Sequence, residues 1–194
     1  MNLFVNIFAV AAMTAGLAPN LPDTFQKLND AEQPWGNEKM QALAQIKGLD
    51  DHSFSGRAVF TTGNKGDVSL MLTLSGLEPG QYAVHIHENG NCSGTGASSA
   101  GGHWSPDSRK HGNADTDSHH MGDIGNIEIG EDGRGKLNFT STEWHLGDGS
   151  EADVLGKSMI IHEKKDDFTT HPSGASGTPI GCGLIEKDES SVSY

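Results

Sequence analysis

The chain has 194 residues, with glycine at 26 positions, hydrophobic residues at 34% and a formal net charge of −13. That length suffices for one domain with a real core plus an extra segment. The glycine content points to turns rather than helices, and the negative charge argues against nucleic acid or an anionic membrane surface as a partner.

Residues 1–18, MNLFVNIFAVAAMTAGLA, are apolar from Leu3 to about Met13 and then small. The run is too short to span a membrane. It reads as a secretory signal with a cleavage zone near Ala15–Ala18, so the protein is expected to be exported, periplasmic or secreted. Residues 19–40 are polar, contain three prolines and read as a linker or N-terminal arm, with room for a short helix around Thr24–Asn29.

From Gln41 the pattern changes to short strands separated by turn residues. QALAQIKG and GRAVFTT come first. In VSLMLTLSG, Val68, Leu70, Leu72 and Leu74 share one face, the period-two alternation of a half-buried strand. YAVHIHE follows the LEPGQ turn. DIGNIEIG, EDGRGKLNF, GKSMIIHE and IGCGLIE complete eight candidates. The folded domain is expected over 41–187 and a polar tail over 188–194. Closely spaced turns and almost no helix predict an all-β domain, an eight-stranded barrel or sandwich. Two long aperiodic stretches, 90–122 and 166–179, would weigh against a compact domain unless they are functional, and histidines bound both.

The histidines carry the chemistry. Neutral imidazole is the commonest metal ligand and suits copper and zinc. In YAVHIHENGNC, Val84 and Ile86 fall on one strand face, which puts His85 and His87 together on the other, within reach of one ion. The loop that follows brings His103, His111 and His120, with Asp123 three residues beyond the last, a set able to surround a second ion. His162 ends a strand opposite the apolar face of Met159 and Ile161. The two cysteines, Cys92 and Cys182, lack a CxxC spacing and are open to three readings: free thiols, a metal pair or one disulfide.

In order along the chain, HIHENGNC, SAGGHWSPDSRKHG, HHMGDIGNI, IIHEKKDD and GCGLI resemble the copper–zinc superoxide dismutase family, its bacterial-type branch in particular. The resemblance covers roughly Gln41 to Glu186. It implies a Greek-key arrangement of the strands and dismutation of superoxide to dioxygen and hydrogen peroxide by a redox-cycling copper bridged to a structural zinc. By position, copper falls to His85, His87, His103 and His162, and zinc to His103, His111, His120 and Asp123. His103 is then the bridging, catalytic imidazole. Asp166 matches the carboxylate that ties a copper histidine to a zinc histidine, and Cys92 and Cys182 match the family disulfide. His52, His119, His145 and His171 match nothing and read as solvated surface histidines. Lys110 reads as a loop cation.

One position departs from the family. Three residues before Cys182, where the family has an arginine beside copper that attracts the anion, this chain has Pro179, which offers neither charge nor N–H. Lys164 and Lys165 are the candidates for a substitute field. The expectation is a slowed dismutase. The alternative is a non-catalytic copper- and zinc-binding protein, a metal buffer or scaffold, on the same fold. Both a monomer and a homodimer fit the sequence.

Overall fold

The structure, a computed structural model, describes residues 40–189. The expected signal segment, the short helix around Thr24–Asn29 and the end of the tail lie outside the described residues. Within them run β1 (Gln41–Gly48), β2 (Ser55–Thr62), β3 (Val68–Ser75), β4 (Gly80–His87), a 3-10 helix (Thr95–Ala100), β5 (Asp123–Ile129), β6 (Arg134–Ser141), β7 (Ser158–His162) and β8 (Pro179–Lys187). All strand pairs are antiparallel, and the ring β1-β2-β3-β6-β5-β4-β7-β8 closes through β1 on β8. β4, β5 and β6 are adjacent in turn and β7 returns to lie beside β4, which is a Greek key.

The eight expected strands are all present, with shifted ends. β4 starts at Gly80 rather than Tyr82. β6 starts at Arg134, because the turn before it is longer: Gly133 takes φ 72°, and the Asp132 carboxylate accepts the Arg134 amide at 3.1 Å. Most seams are zipped by five to eight residue pairs, but β5 meets β6 through one pair only, Ile129 with Gly135.

The alternation in β3 works as read. Val68, Leu70, Leu72 and Leu74 are buried, while Met71 on the other face is 40% exposed. With Ala44, Ile46, Phe60, Val84, Ile86, Met159 and Ile161 they fill the barrel. Three long connections cover the rest: 88–122, 142–157 and 163–178. The middle one was not anticipated. It carries Trp144, which packs at a tilt against Phe60 and Phe139 (centroids 6.0 and 5.1 Å) and donates its Nε1–H to the Met121 carbonyl at 2.7 Å. That bond ties the middle connection to the first.

The first connection lies over the outer face of β7 and β8. Ala97 and Ala100 of the 3-10 helix bury against Ile160 and Cys182 in a second, smaller core. Cys92 and Cys182 are disulfide-bonded there, 90 residues apart in sequence.

Candidate metal centre

The site is assembled at one end of β4 and β7, on their outer face. Both strands change register one step before a histidine: β4 against β5 between Val84 and His85, and β7 against β8 between Ile161 and His162. Such irregularities re-aim the side chain that follows them. Val84, Ile86, Met159 and Ile161 stay in the barrel, while the imidazoles turn out beneath the loops. His85 is fully buried there, and His87 and His162 nearly so. His103 is drawn in by a backbone bridge to His87, and Trp104 N and Gly122 N continue the stitching at 2.9 Å each. Gly122 permits this approach, since a Cβ there would lie 2.2 Å from the Ile86 carbonyl oxygen.

The rings pack closely. His85 and His103 have centroids 3.9 Å apart, and His87 and His162 lie 5.1 and 5.8 Å from His103. His111 and His120 are 5.5 and 5.4 Å from the other side of His103. By the mutual distances of potential ligand atoms, His87, His103 and His162 form one group able to hold an ion, and His85, His103, His111 and Asp123 a second. That grouping departs from the sequence expectation in two places, since it moves His85 across and omits His120. The hydrogen bonds bear on both residues without assigning either to an ion. His85 Nε2 donates to Asp166 Oδ2 at 2.9 Å, so the ring nitrogen left for an ion is Nδ1. His120 Nδ1 lies 3.3 Å from Asp123 Oδ1 and has no hydrogen-bond partner.

Tautomers follow from the same bookkeeping. Nδ1–H of His87 donates to the Gly101 carbonyl at 2.8 Å, and Nδ1–H of His162 to the Gly177 carbonyl at 3.1 Å. Their Nε2 lone pairs are thereby freed. Buried ring atoms without a hydrogen-bond partner are Nδ1 of His85, His111 and His120 and Nε2 of His87, His103 and His162. Buried polar atoms are nearly always paired, so a convergence of this kind fits a site built for metal ions. His103 faces both ways: its Nδ1 lies 2.9 Å from Asp123 Oδ1, and its Nε2 is among the unpartnered atoms.

Asp166 sits where the sequence expected it, bonding His85 Nε2 and His111 Nε2 at 2.9 Å each through its two oxygens. Several residues around it escaped the sequence reading. Asn126 clasps its backbone from both sides, at 3.0 and 2.7 Å. The Phe168 amide donates to Oδ1 at 2.7 Å. Gly174, at φ +66°, presses against the same oxygen, and any Cβ there would collide with it. Arg109 and Glu143 were missed too. Their bidentate pair, 3.0 and 2.9 Å, fastens the histidine-bearing loop to the middle connection. No motif announces these contacts.

Electrostatics follow the packing. Burial pushes the His87 imidazole down to about 3, helped by His103 and His162 nearby. Burial likewise takes His162 down to about 4 and His85 well below the ordinary histidine value. Burial acts the same way on His111, but the Asp123 carboxylate 3.0 Å from its Nδ1 and the hydrogen bond of its Nε2 to Asp166 outweigh it and raise the ring to about 9. Burial would raise both carboxylates, yet their histidine partners hold each below the usual range.

Of the remaining histidines, His52, His145 and His171 are exposed as expected. His119 is not simply solvated. It is half-buried, donates Nδ1–H to the Thr116 carbonyl at 2.7 Å and lies 3.4 Å from Glu143. Lys164 and Lys165 are exposed, and Lys164 Nζ lies 3.8 Å from the Glu163 carboxylate. Pro179 stands opposite His162 in the β7–β8 register.

An antiparallel barrel whose strand ends and loops converge histidine nitrogens and carboxylates at one end defines a metal-binding β-protein. Residues 54–185 match the model of one such family, copper/zinc superoxide dismutase (SODC). The chain belongs to that family. It is 36% identical to the superoxide dismutase-like protein YojM of Bacillus subtilis over 122 residues, 61% of this chain and 62% of that protein. It is 37% identical to superoxide dismutase (Cu-Zn) of Deinococcus radiodurans over 143 residues, 68% and 77% of the two chains. It is 31% identical to the extracellular superoxide dismutase (Cu-Zn) of Drosophila melanogaster over 159 residues, 77% and 86%. Among solved structures, the clock protein EA4 superposes with TM-score 0.68 at 27% identity, covering 80% of this chain and 99% of that one.

Proposed function

We propose that the protein is a superoxide dismutase that holds copper through His85 Nδ1 and Nε2 of His87, His103 and His162. Zinc is held through Nδ1 of His103, His111 and His120 together with Asp123. One observation carries the reading: the buried ring atoms without hydrogen-bond partners include every imidazole atom in those two sets except His103 Nδ1, which faces Asp123 instead. Family membership supplies the activity. Copper cycling between its two oxidation states would supply the one-electron exchange that turns superoxide into dioxygen and hydrogen peroxide.

The chain's own residues do the rest. The Gly101 and Gly177 carbonyls and Asp166 fix three rings with one nitrogen turned inward, so orientation is set before any ion arrives. His103 has Nδ1 committed beside Asp123, so a proton it takes up or releases is carried at Nε2. Three histidines and a carboxylate make the zinc side a closed, structural set.

The anion's approach is poorly assisted. Pro179 brings no cation to the strand opposite His162, and the rim beside it carries a carboxylate, Glu163, held ionised by hydrogen bonds from Thr178. Lys164 and Lys165 are the cations closest to this rim in sequence. We infer a dismutase slower than a relative with an arginine in place of Pro179. The same residue favours the second reading, a copper- and zinc-binding protein without catalysis. The disulfide supports export to an oxidising compartment. Metal content of the purified protein, measured together with dismutation rate, decides between the readings. Full copper and zinc with turnover is expected, and full metal without turnover would leave only the buffer or scaffold.

A further inference from the structure

Away from the metal-binding end, one face of the barrel opposes the charge of the whole. The chain has 13 cationic residues against 26 acidic ones. Lys47, Arg57, Arg134 and Lys136 nevertheless line one groove of about 720 Å³ on the outer face of β1, β2, β3 and β6. Strand register explains the grouping. Arg57 pairs with Thr73 and Thr73 with Lys136, which sets Arg57 and Lys136 two strands apart, roughly 10 Å. In the next outward row Ser55 pairs with Lys47 and with Ser75, and Ser75 pairs with Arg134, so the two cations end a row about 14 Å wide. Ile46 and Leu74, between the rows, point into the core.

All four cations are exposed and no acidic side chain lines the groove. Among the described residues, the lysine and arginine ion pairs involve Arg109 and Lys164 and none of these four. Asp132, two residues from Arg134, accepts its backbone amide rather than its guanidinium. Four like charges gathered without counter-charges repel one another and do nothing for the barrel.

We propose that this groove binds a linear acidic polysaccharide, a hydroxyl-rich chain bearing carboxylate or sulfate groups. A groove that crosses four strands on an open sheet face suits an extended ligand rather than a compact ion. The hydroxyls of Thr73 and Ser75 stand between the cations, matching a ligand in which hydroxyls alternate with anionic groups. No aromatic ring lines the groove, so it has no platform for stacked bases, and it presents no helix or ribbon to enter a duplex groove. Met71, the exposed large apolar side chain among the described residues, shares the outer face of β3 but does not line the groove, and one methionine is too little apolar surface to seat the face in a bilayer.

The test is a titration of the purified protein with dextran sulfate and with polygalacturonate, at low and at raised salt. Neutral dextran, duplex DNA and phosphatidylglycerol vesicles serve as comparisons. At least one acidic polysaccharide is expected to bind, more weakly as salt rises, and neutral dextran not at all. DNA and vesicles are expected to bind at least about tenfold more weakly. The double variants Arg57→Ala/Lys136→Ala and Lys47→Ala/Arg134→Ala should each weaken binding about tenfold or more at an unchanged thermal midpoint. Lys164→Ala/Lys165→Ala, cations elsewhere on the surface, should bind as the parent does. No binding to either acidic polysaccharide, stronger binding to DNA or vesicles, or full binding by both groove variants overturns the proposal.

Discussion

Two rings from different parts of the chain lean on one carboxylate: His85 of β4 and His111 of the first long loop both donate to Asp166. Asp166→Asn keeps one of those acceptors and sets an NH2 donor against the other ring's Nε2–H. Metal affinity should fall roughly 10–100-fold, read by competition against a chelator, with little change in the far-ultraviolet spectrum. Gly174→Ala should have the same effect by a different route, because a Cβ at that φ collides with Asp166. If Gly174→Ala holds metal as tightly as the parent, the glycine is a turn residue only. Pro179→Arg adds a cation opposite His162. It should raise kcat/KM for superoxide about tenfold at low ionic strength and make the rate fall more steeply with salt. A mutant that gains neither rate nor salt sensitivity shows that this position is not where steering is lacking.

At the scale of elements, the disulfide couples the first long loop to β8 and closes a separation of 90 residues. The loop-entropy model assigns such a closure roughly 4–5 kcal/mol as an upper value. The Cys92→Ser/Cys182→Ser protein should lose up to that much in urea unfolding, with metal affinity falling as well, since the same loop carries His103. Strands were legible in the sequence because their signal is periodic: β3 alternates without a fault, and β4 shows its two faces in six residues. Ligand candidates were legible because histidine is scarce and its spacing distinctive. The supporting contacts were not. The carbonyls of Gly101 and Gly177, the Asn126 clasp and the Arg109–Glu143 pair arise where loops meet loops. Any residue has a carbonyl, so nothing in its letter marks the one that aims a ring. Trp144 went unassigned for a related reason: its partners Phe60 and Phe139 lie on two different strands, and one lone tryptophan has no period.

For the molecule as a whole, acid is the expected weakness of the metal-free protein. His87 and His162 have folded-state values of about 3 and about 4, depressed from 6.5, and burial depresses His85 as well. A depressed group contributes stability that is present above its unfolded value and is lost as pH falls through the folded one. Asp123 and Asp166, also depressed, act in the same direction from the ordinary aspartate value downward. The urea midpoint of the metal-free protein should therefore drop as pH is lowered from about 6.5 to about 4. His111 has the opposite sign. Its value is raised to about 9, so its contribution is complete below 6.5 and fades as pH rises through 9. A metal-free protein equally stable at pH 4 and pH 7 would contradict this account. The closed ring also decides where such a protein gives way. A barrel has no free strand edge to recruit a neighbour, so strand-to-strand aggregation must wait for a seam to part. The seam between β5 and β6, with its single pair at Ile129 and Gly135, is the least zipped of the eight. Amides of β6 that face β5 should exchange with deuterium earlier than those that face β3, marking the line along which the cylinder unrolls.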